Sequence, residues 1–190
     1  MLPFLKQAIL HPKSTGAIAQ SSKRLIDATI NSAKLDSARA IVEFGPGSGA
    51  VTKEILRNLP KNALFFTIEK NPDFAKLTKK NCPGVIVYED SASNIKKYLN
   101  IHKSKACDRI FSELPWASFE EWQRDAILNA AHAALDKGGI FLTSAYIPCV
   151  YFSKGKIFGK KLKNYFSKIS KTKIIWRNLP PAFIYVCIKQ

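Results

Sequence analysis

Ala40-Ile41-Val42-Glu43-Phe44-Gly45-Pro46-Gly47-Ser48-Gly49 is the stretch on which the fold of this chain turns. Its first half is an apolar run of strand length with one acid set into it, and its second half is a turn holding three glycines. Val51–Leu59 follows with a helical pattern, so the whole reads as strand, tight turn, helix. A glycine-rich turn there lets a ligand approach the backbone closely, and the next helix N-terminus supplies amide donors.

Outward from this unit the same alternation continues. Apolar runs bounded by turn residues recur at Leu64–Ile68, Val85–Tyr88, Arg109–Phe111, Ile140–Ala145, Ile174–Trp176 and Ala182–Ile188, which with Ala40–Phe44 makes seven strands. Helical patterns lie between the first five, at Val51–Leu59, Pro72–Lys80, Ser91–Asn100 and Phe119–Leu135. In the last of these Trp122, Ala126, Leu128 and Ala131 fall near one face. Alternating strand and helix implies an α/β fold with a mostly parallel sheet and helices on both faces. Arg177–Pro181 is too short for a crossover helix, so the last two strands are expected to form an antiparallel C-terminal hairpin. Ahead of the sheet, Ser22–Ala33 reads as a helix and Pro3–Leu10 as a shorter one with Phe4, Leu5, Ala8 and Ile9 on one side. With no internal repeat and no low-complexity linker, residues 1–190 are read as one domain.

Composition agrees with a packed core: 46% of the 190 residues are hydrophobic and 11% aromatic. The formal charge of +16 points to a polyanionic partner, either nucleic acid or an anionic membrane surface. Its distribution is uneven. Residues 1–26 carry four basic and no acidic residues, 27–136 are nearly balanced, and 137–190 carry eleven basic and none acidic. In that last segment Lys154, Lys156, Lys160, Lys161, Lys163, Lys168, Lys171, Lys173 and Arg177 are interleaved with Phe152, Ile157, Phe158, Leu162, Tyr165, Phe166 and Ile169, a basic and partly amphipathic stretch that is also compatible with a solvated helix face. The four cysteines are scattered without C-x-x-C pairing, which signals neither zinc nor a disulfide framework and suggests a reducing compartment. The longest uncharged stretch, Gly138 to Ser153, is 16 residues and falls short of a spanning helix. Met1–Leu10 lacks a signal-peptide core, so a cytoplasmic location is expected. His11, His102 and His132 lie beside no carboxylate or cysteine at metal spacing, and no metal site is expected.

Two acidic positions stand in register with the glycine turn. Glu69 ends the second strand, twenty residues beyond Gly49, where a carboxylate is placed to accept both ribose hydroxyls of a nucleoside. Glu89-Asp90-Ser91-Ala92 follows the third strand, with Asp90 within reach of an adenine amino group. The glycine spacing departs from G-x-G-x-x-G, which disfavours a dinucleotide enzyme. The order Glu-x-Gly-x-Gly-x-Gly, then an acid, then Asp-Ser-Ala resembles the class I S-adenosylmethionine-dependent methyltransferases over about residues 40–188. The resemblance implies a Rossmann-like sheet and S-adenosylmethionine as cofactor, held by Glu43, Gly45, Pro46, Gly47, Gly49, Glu69, Lys70, Asp90, Ser91, Ala92 and Ser112. A sulfonium bearing a free amino group wants an acidic neighbour, the part the resemblance gives to Glu43.

For the acceptor, the telling stretch is Ser112-Glu113-Leu114-Pro115-Trp116 at the end of the fourth strand. It is similar to the Asn-Leu-Pro-aromatic pattern of the ribosomal RNA adenine dimethylases, with Glu113 in place of the amide. A resemblance covering more of the chain rests on Lys13-Ser14-Thr15-Gly16-Ala17-Ile18-Ala19-Gln20-Ser21-Ser22, on Leu114-Pro115, and on Asn178-Leu179-Pro180-Pro181-Ala182. These resemble the small bacterial phospholipid and ornithine-lipid N-methyltransferases, from whose usual motifs the chain departs at Gln20 (Pro there) and Glu113 (Gly there). What this implies is N-methylation of an amine-bearing membrane lipid at the cytoplasmic face, with residues 1–35 as a helical lid over cofactor and membrane, 36–190 as the core, and Ser21 and Ser22 closing on the cofactor. RNA adenine methylation is the enzymatic alternative, and a non-catalytic membrane or RNA binder the other. Ser21 and Ser22 serve equally as helix caps. Glu113 is the candidate base for removing a proton from the acceptor ammonium, or else a surface loop charge. Trp116 and Tyr146 are candidates to surround the methylammonium by cation–π contact, with a core anchor as the other reading of Trp116. Reversible docking is expected through the basic residues, Lys160, Lys161 and Lys163 among them, and through Phe4, Leu5 and Ile9, which serve equally to pack on the core.

Overall fold

The Ser22 hydroxyl accepts the Leu25 amide hydrogen at 3.3 Å and so caps α1 (Lys23–Ala33), the use of paired serines that needs no ligand. Residues 21–147, 150 and 153–190 are described in the computed structural model. The expected Pro3–Leu10 helix, the Lys13–Gln20 part of the lid motif and Phe152 lie outside the described residues. Helix α1 ends where Lys34 turns left-handed (φ 51°), and a short 3-10 turn leads into β1 (Ala40–Phe44). Arg109, buried in β4 (Cys107–Ser112), donates back to the Ala33 and Lys34 carbonyls and to the Ser37 hydroxyl. One guanidinium thereby satisfies the orphan carbonyls at the end of α1 and fastens that helix to the sheet.

The elements then follow the expected alternation: α2 (Ala50–Arg57), β2 (Leu64–Glu69), α3 (Pro72–Asn81), β3 (Ile86–Glu89), α4 (Ile95–Ile101), β4, α5 (Glu121–Ala134), β5 (Leu135–Tyr146), α6 (Ser153–Tyr165), β6 (Lys168–Lys171) and β7 (Ala182–Ile188). Asn71-Pro72 starts α3 because the Asn71 side chain accepts the Asp73 and Phe74 amides while proline occupies the first turn. The seven strands make one sheet in the order β3-β2-β1-β4-β5-β7-β6, with β1 to β5 parallel and β7 antiparallel to both neighbours. Strand order reverses between β1 and β4, and the crevice outside their carboxyl ends is where an open sheet of this kind takes its ligand.

The two faces carry separate cores. On one, Leu25, Ile26, Val51 and Ile55 from α1 and α2 pack on Ile41, Phe65, Phe111 and Leu142. On the other, Tyr98, Leu99, Leu128, Ala131, Phe158 and Leu162 from α4, α5 and α6 pack on Val42, Phe44, Phe66 and Phe141.

Three expectations are corrected. The sixth strand is Lys168–Lys171, and Ile174–Trp176 is a loop in which only Ile175 makes a bridge, to Ala182. Apolar residues do not by themselves dictate a strand: here the edge falls to a short lysine-bearing segment, the common protection of a sheet edge. In α5 the buried face runs through Arg124, Ile127, Leu128, Ala131 and Ala134, whereas Trp122 is 71% exposed and Ala126 is exposed too. Lys161 is no free docking cation; it is ion-paired with Glu121 (3.0 Å) and Asp125 of α5, and those partners raise its pKa.

Candidate functional site

Because side chains alternate along a strand, Glu43 in β1, Glu69 ending β2 and Glu113 two residues after Phe111 in β4 project on one face, the one covered by α1 and α2. Parallel pairing of β1 with β2 and β4 brings all three to the same carboxyl edge.

Glu43 is fully buried. Its Oε2 accepts the Thr52 hydroxyl hydrogen at 2.7 Å, and its Oε1, equally buried, has no hydrogen-bond partner. Burial first, then the nearby Glu113 and Glu69, push its pKa up to about 8 against the pull of Thr52. Glu69 accepts the Gly47 amide at 3.3 Å on one oxygen and the Asn71 amide at 2.9 Å on the other, and burial raises its pKa. A buried carboxyl oxygen without a partner, close to two further acids, is an arrangement that a hydrogen-bearing cation can satisfy.

Beside the acids runs the glycine turn, with Gly45, Gly47 and Gly49 all at positive φ. A Cβ on Gly45 would sit 2.9 Å from Leu114 and one on Gly49 2.7 Å from the Cys82 sulfur, whereas one on Gly47 would meet nothing within 4 Å. Gly45 and Gly49 therefore serve close packing, and Gly47 faces open space. Helix α3 braces the turn from behind: Thr78 donates to the Gly47 carbonyl, Asn81 to that of Ser48, and the Cys82 thiol to that of Gly49. Pro46 is buried in the turn, and Lys70 is exposed just past Glu69.

Asp90, at the end of β3, is held ionised. The Tyr98 hydroxyl (2.6 Å) is the main cause, helped by the Ser91 amide, Asn94 and Lys97, and together they lower its pKa to about 2. Ser91 accepts the Ser93 amide and begins the 3-10 turn in which Ala92 is buried.

Glu113 is half-buried, and its backbone amide bonds the Phe44 carbonyl. The Ser144 hydroxyl donates to its Oε2 at 3.3 Å, and burial, outweighing that bond, raises its pKa to about 7. Ser144 and Tyr146 lie two apart in β5, on the same face as Glu113. Trp116 lies on the other face. Its indole N–H reaches Ser112 (3.1 Å) and Thr143 (3.0 Å), its ring stacks on Phe158 at 4.7 Å, and it is 4% exposed. Trp116 is therefore a core anchor, and it forms no joint cage with Tyr146. Ser112, fully buried, spends its hydroxyl on that indole.

The two outer motifs meet. The side-chain oxygen of Asn178, a residue 2% exposed, accepts the Ser22 amide at 2.9 Å while its NH2 donates to the Pro180 carbonyl at 2.7 Å. Ser21 lines a cleft of about 340 Å³ with Ser48, Asn81, Lys23, Lys53 and Arg57, and none of the three carboxylates belongs to that cleft. His102 bonds the Tyr88 hydroxyl at 2.9 Å, and His132 packs edge-on to Phe166. Among the described residues no cluster of His, Cys, Asp or Glu is arranged to hold a metal ion.

Sequence reading missed Thr52, Ser144 and the braces Thr78, Asn81 and Cys82. The signal for Thr52 is its place in the first turn of the helix after the glycines, which points its hydroxyl back at the strand end. For Ser144 there is none, since only sheet register sets it beside Glu113.

An ornithine lipid N-methyltransferase from Singulisphaera acidiphila is 29% identical over 188 residues, covering 97% of this chain and 93% of that protein. Among solved structures, an O-methyltransferase from Bacillus cereus in complex with SAH has a TM-score of 0.69 at 14% identity, over 99% of this chain and 90% of its own. A precorrin-6y C5,15-methyltransferase from Geobacter metallireducens has a TM-score of 0.64 at 18% identity, over 90% of this chain and 93% of its own. No protein-family model matches the chain.

Proposed function

We propose that this chain, which has the fold of the class I S-adenosylmethionine-dependent methyltransferases, methylates the amine head group of a membrane lipid, phosphatidylethanolamine or ornithine lipid. The carrying observation is the unpartnered Oε1 of Glu43 within the Glu43–Glu69–Glu113 cluster. The lipid class follows the similarity, along nearly the whole chain, to an ornithine lipid N-methyltransferase.

The residues fit the cofactor. Glu43 offers a buried acceptor to an ammonium, Gly47 leaves open space over the turn, and Glu69 ends β2, where a carboxylate can accept ribose hydroxyls. Bound there, S-adenosylmethionine supplies an electrophilic methyl group on a sulfonium. A cation beside Glu43 draws the proton off its carboxyl, so binding is coupled to proton release below about pH 8.

The acceptor amine arrives in water mostly as an ammonium and needs its lone pair free. Glu113, with a pKa near 7, is matched to take that proton at neutral pH, and the Ser144 hydroxyl holds its Oε2 in place. Holding acceptor and donor in line is the larger contribution, worth up to about 7–11 kcal/mol in well-oriented systems. Tyr146, on the face of Ser144, is the aromatic candidate beside the acceptor.

Burial of Trp116 weighs against adenine methylation, because a flipped base would find no stacking ring there. Among the described residues no helix is long and apolar enough to cross a membrane. A lipid-modifying enzyme of this build docks reversibly, at about 1 kcal/mol for each basic residue near an anionic surface. Labelled S-adenosylmethionine offered with vesicles of phosphatidylethanolamine, vesicles of ornithine lipid, or unmodified ribosomal RNA tests the proposal. Label is expected in a lipid band, and label only in RNA would refute the lipid substrate.

A further inference from the structure

On the lipid reading above, we propose that the β6–β7 loop, residues 172–181, is the element that enters the bilayer, seating the carboxyl edge of the sheet on an anionic membrane. The loop delivers the chain to β7, whose first residue, Ala182, pairs with Tyr146 at the carboxyl end of β5. It therefore lies at the same edge as Glu113 and Ser144.

Three apolar side chains stand out of it into solvent: Ile174 at 39%, Trp176 at 70% and Leu179 at 82% exposure. They protrude from a shaped loop. Asn178 is buried at its base and bonded to Ser22 and Pro180, the Ile175 amide bonds the Ala182 carbonyl at 2.7 Å, and the Thr172 amide bonds that of Ile184 at 3.0 Å. Lys173 and Arg177 stand in the loop itself and Lys171 ends β6 at its base, all three exposed, in a segment of 54 residues (137–190) without one acid. An indole and two aliphatic side chains flanked by long basic ones match the bilayer interface, where rings sit at head-group depth and cations meet lipid phosphate. Single-stranded RNA would stack on Trp176 and meet the same cations, but Ile174 and Leu179 offer a base no ring, and this favours lipid. Trp122, equally exposed on α5, has the acidic Glu121 beside it in the helix.

The test uses tryptophan fluorescence in full-length W122F, which leaves Trp176 and the buried Trp116, with phosphatidylglycerol–phosphatidylcholine vesicles carrying bromine on the acyl chains. Strong quenching is expected in W122F and none in W122F/W176F; equal quenching of the two would overturn the proposal. W176S/L179S, with unchanged circular dichroism, is expected to lose at least tenfold in vesicle partition. Unchanged partition, or loss of RNA-oligonucleotide binding with vesicle partition intact, would overturn it. Methyl transfer to a short-chain amine lipid dispersed in detergent separates docking from chemistry. W176S/L179S is expected to keep that rate. A wild-type chain inactive there refutes the lipid substrate, while the quenching pair still decides the docking element.

Discussion

Glu43 carries opposed consequences for stability and for binding. Its folded pKa of about 8 lies above the ordinary 4.5, so the folded chain holds a proton that the unfolded chain has already lost. Stability from this group is complete below about pH 4.5, falls as pH rises, and is flat above about 8. E43Q removes the titration; in urea unfolding at pH 8.5 it is expected to be more stable than wild type, while near pH 4.5 the two converge. The same change deletes a charge-assisted contact of about 1.5–3 kcal/mol, so calorimetry is expected to show S-adenosylmethionine binding weakened roughly 10- to 150-fold. Glu113 acts on turnover. E113Q is expected to bind the cofactor normally, lose about 10²–10⁴ in kcat on lipid, and lose the limb of the pH–rate profile near 7.

Among the elements, the glycine turn and its brace on α3 divide packing from binding. Replacing Gly49 drives a Cβ into the Cys82 sulfur, whereas G47A meets empty space and adds only the strain of alanine at φ +57°, about 1–2 kcal/mol. G47A is expected to fold, with a modest fall in melting temperature, and to lose cofactor affinity because its methyl group occupies the space a ligand would use. A second tie, made by Asn178, joins the β6–β7 loop to the start of α1. N178A strands the Ser22 amide and the Pro180 carbonyl, with an expected cost of about 1–3 kcal/mol in chemical unfolding.

For the molecule as a whole, charge placement decides how it meets a surface. Lys160 and Lys163 are exposed on α6, and Lys161 between them is spent on Glu121 and Asp125. Neutralising Lys160 and Lys163 is expected to weaken vesicle sedimentation, most clearly at low salt. K161Q instead is expected to loosen α6 from α5 and lower the melting temperature, since it leaves two carboxylates without their cation.

The alternation of apolar runs, the glycine turn after β1 and the acids closing β2 and β3 were legible in residues alone, because strand and helix periods and φ > 0 positions are local properties. So was the Ser22 cap. Local pattern gave no means to tell the strand Lys168–Lys171 from the exposed loop at Ile174–Trp176, nor to show that Trp116 turns into the core while Glu113 turns to the other face. Those outcomes depend on register and on which helix covers which face. Residue pattern alone implies a mostly parallel sheet with a glycine turn at its carboxyl edge. That Glu43, Glu69 and Glu113 gather at one edge follows only from the fold, because burial raises all three pKa values and the charges of Glu113 and Glu69 push that of Glu43 further, and both effects arise only when β1, β2 and β4 lie side by side.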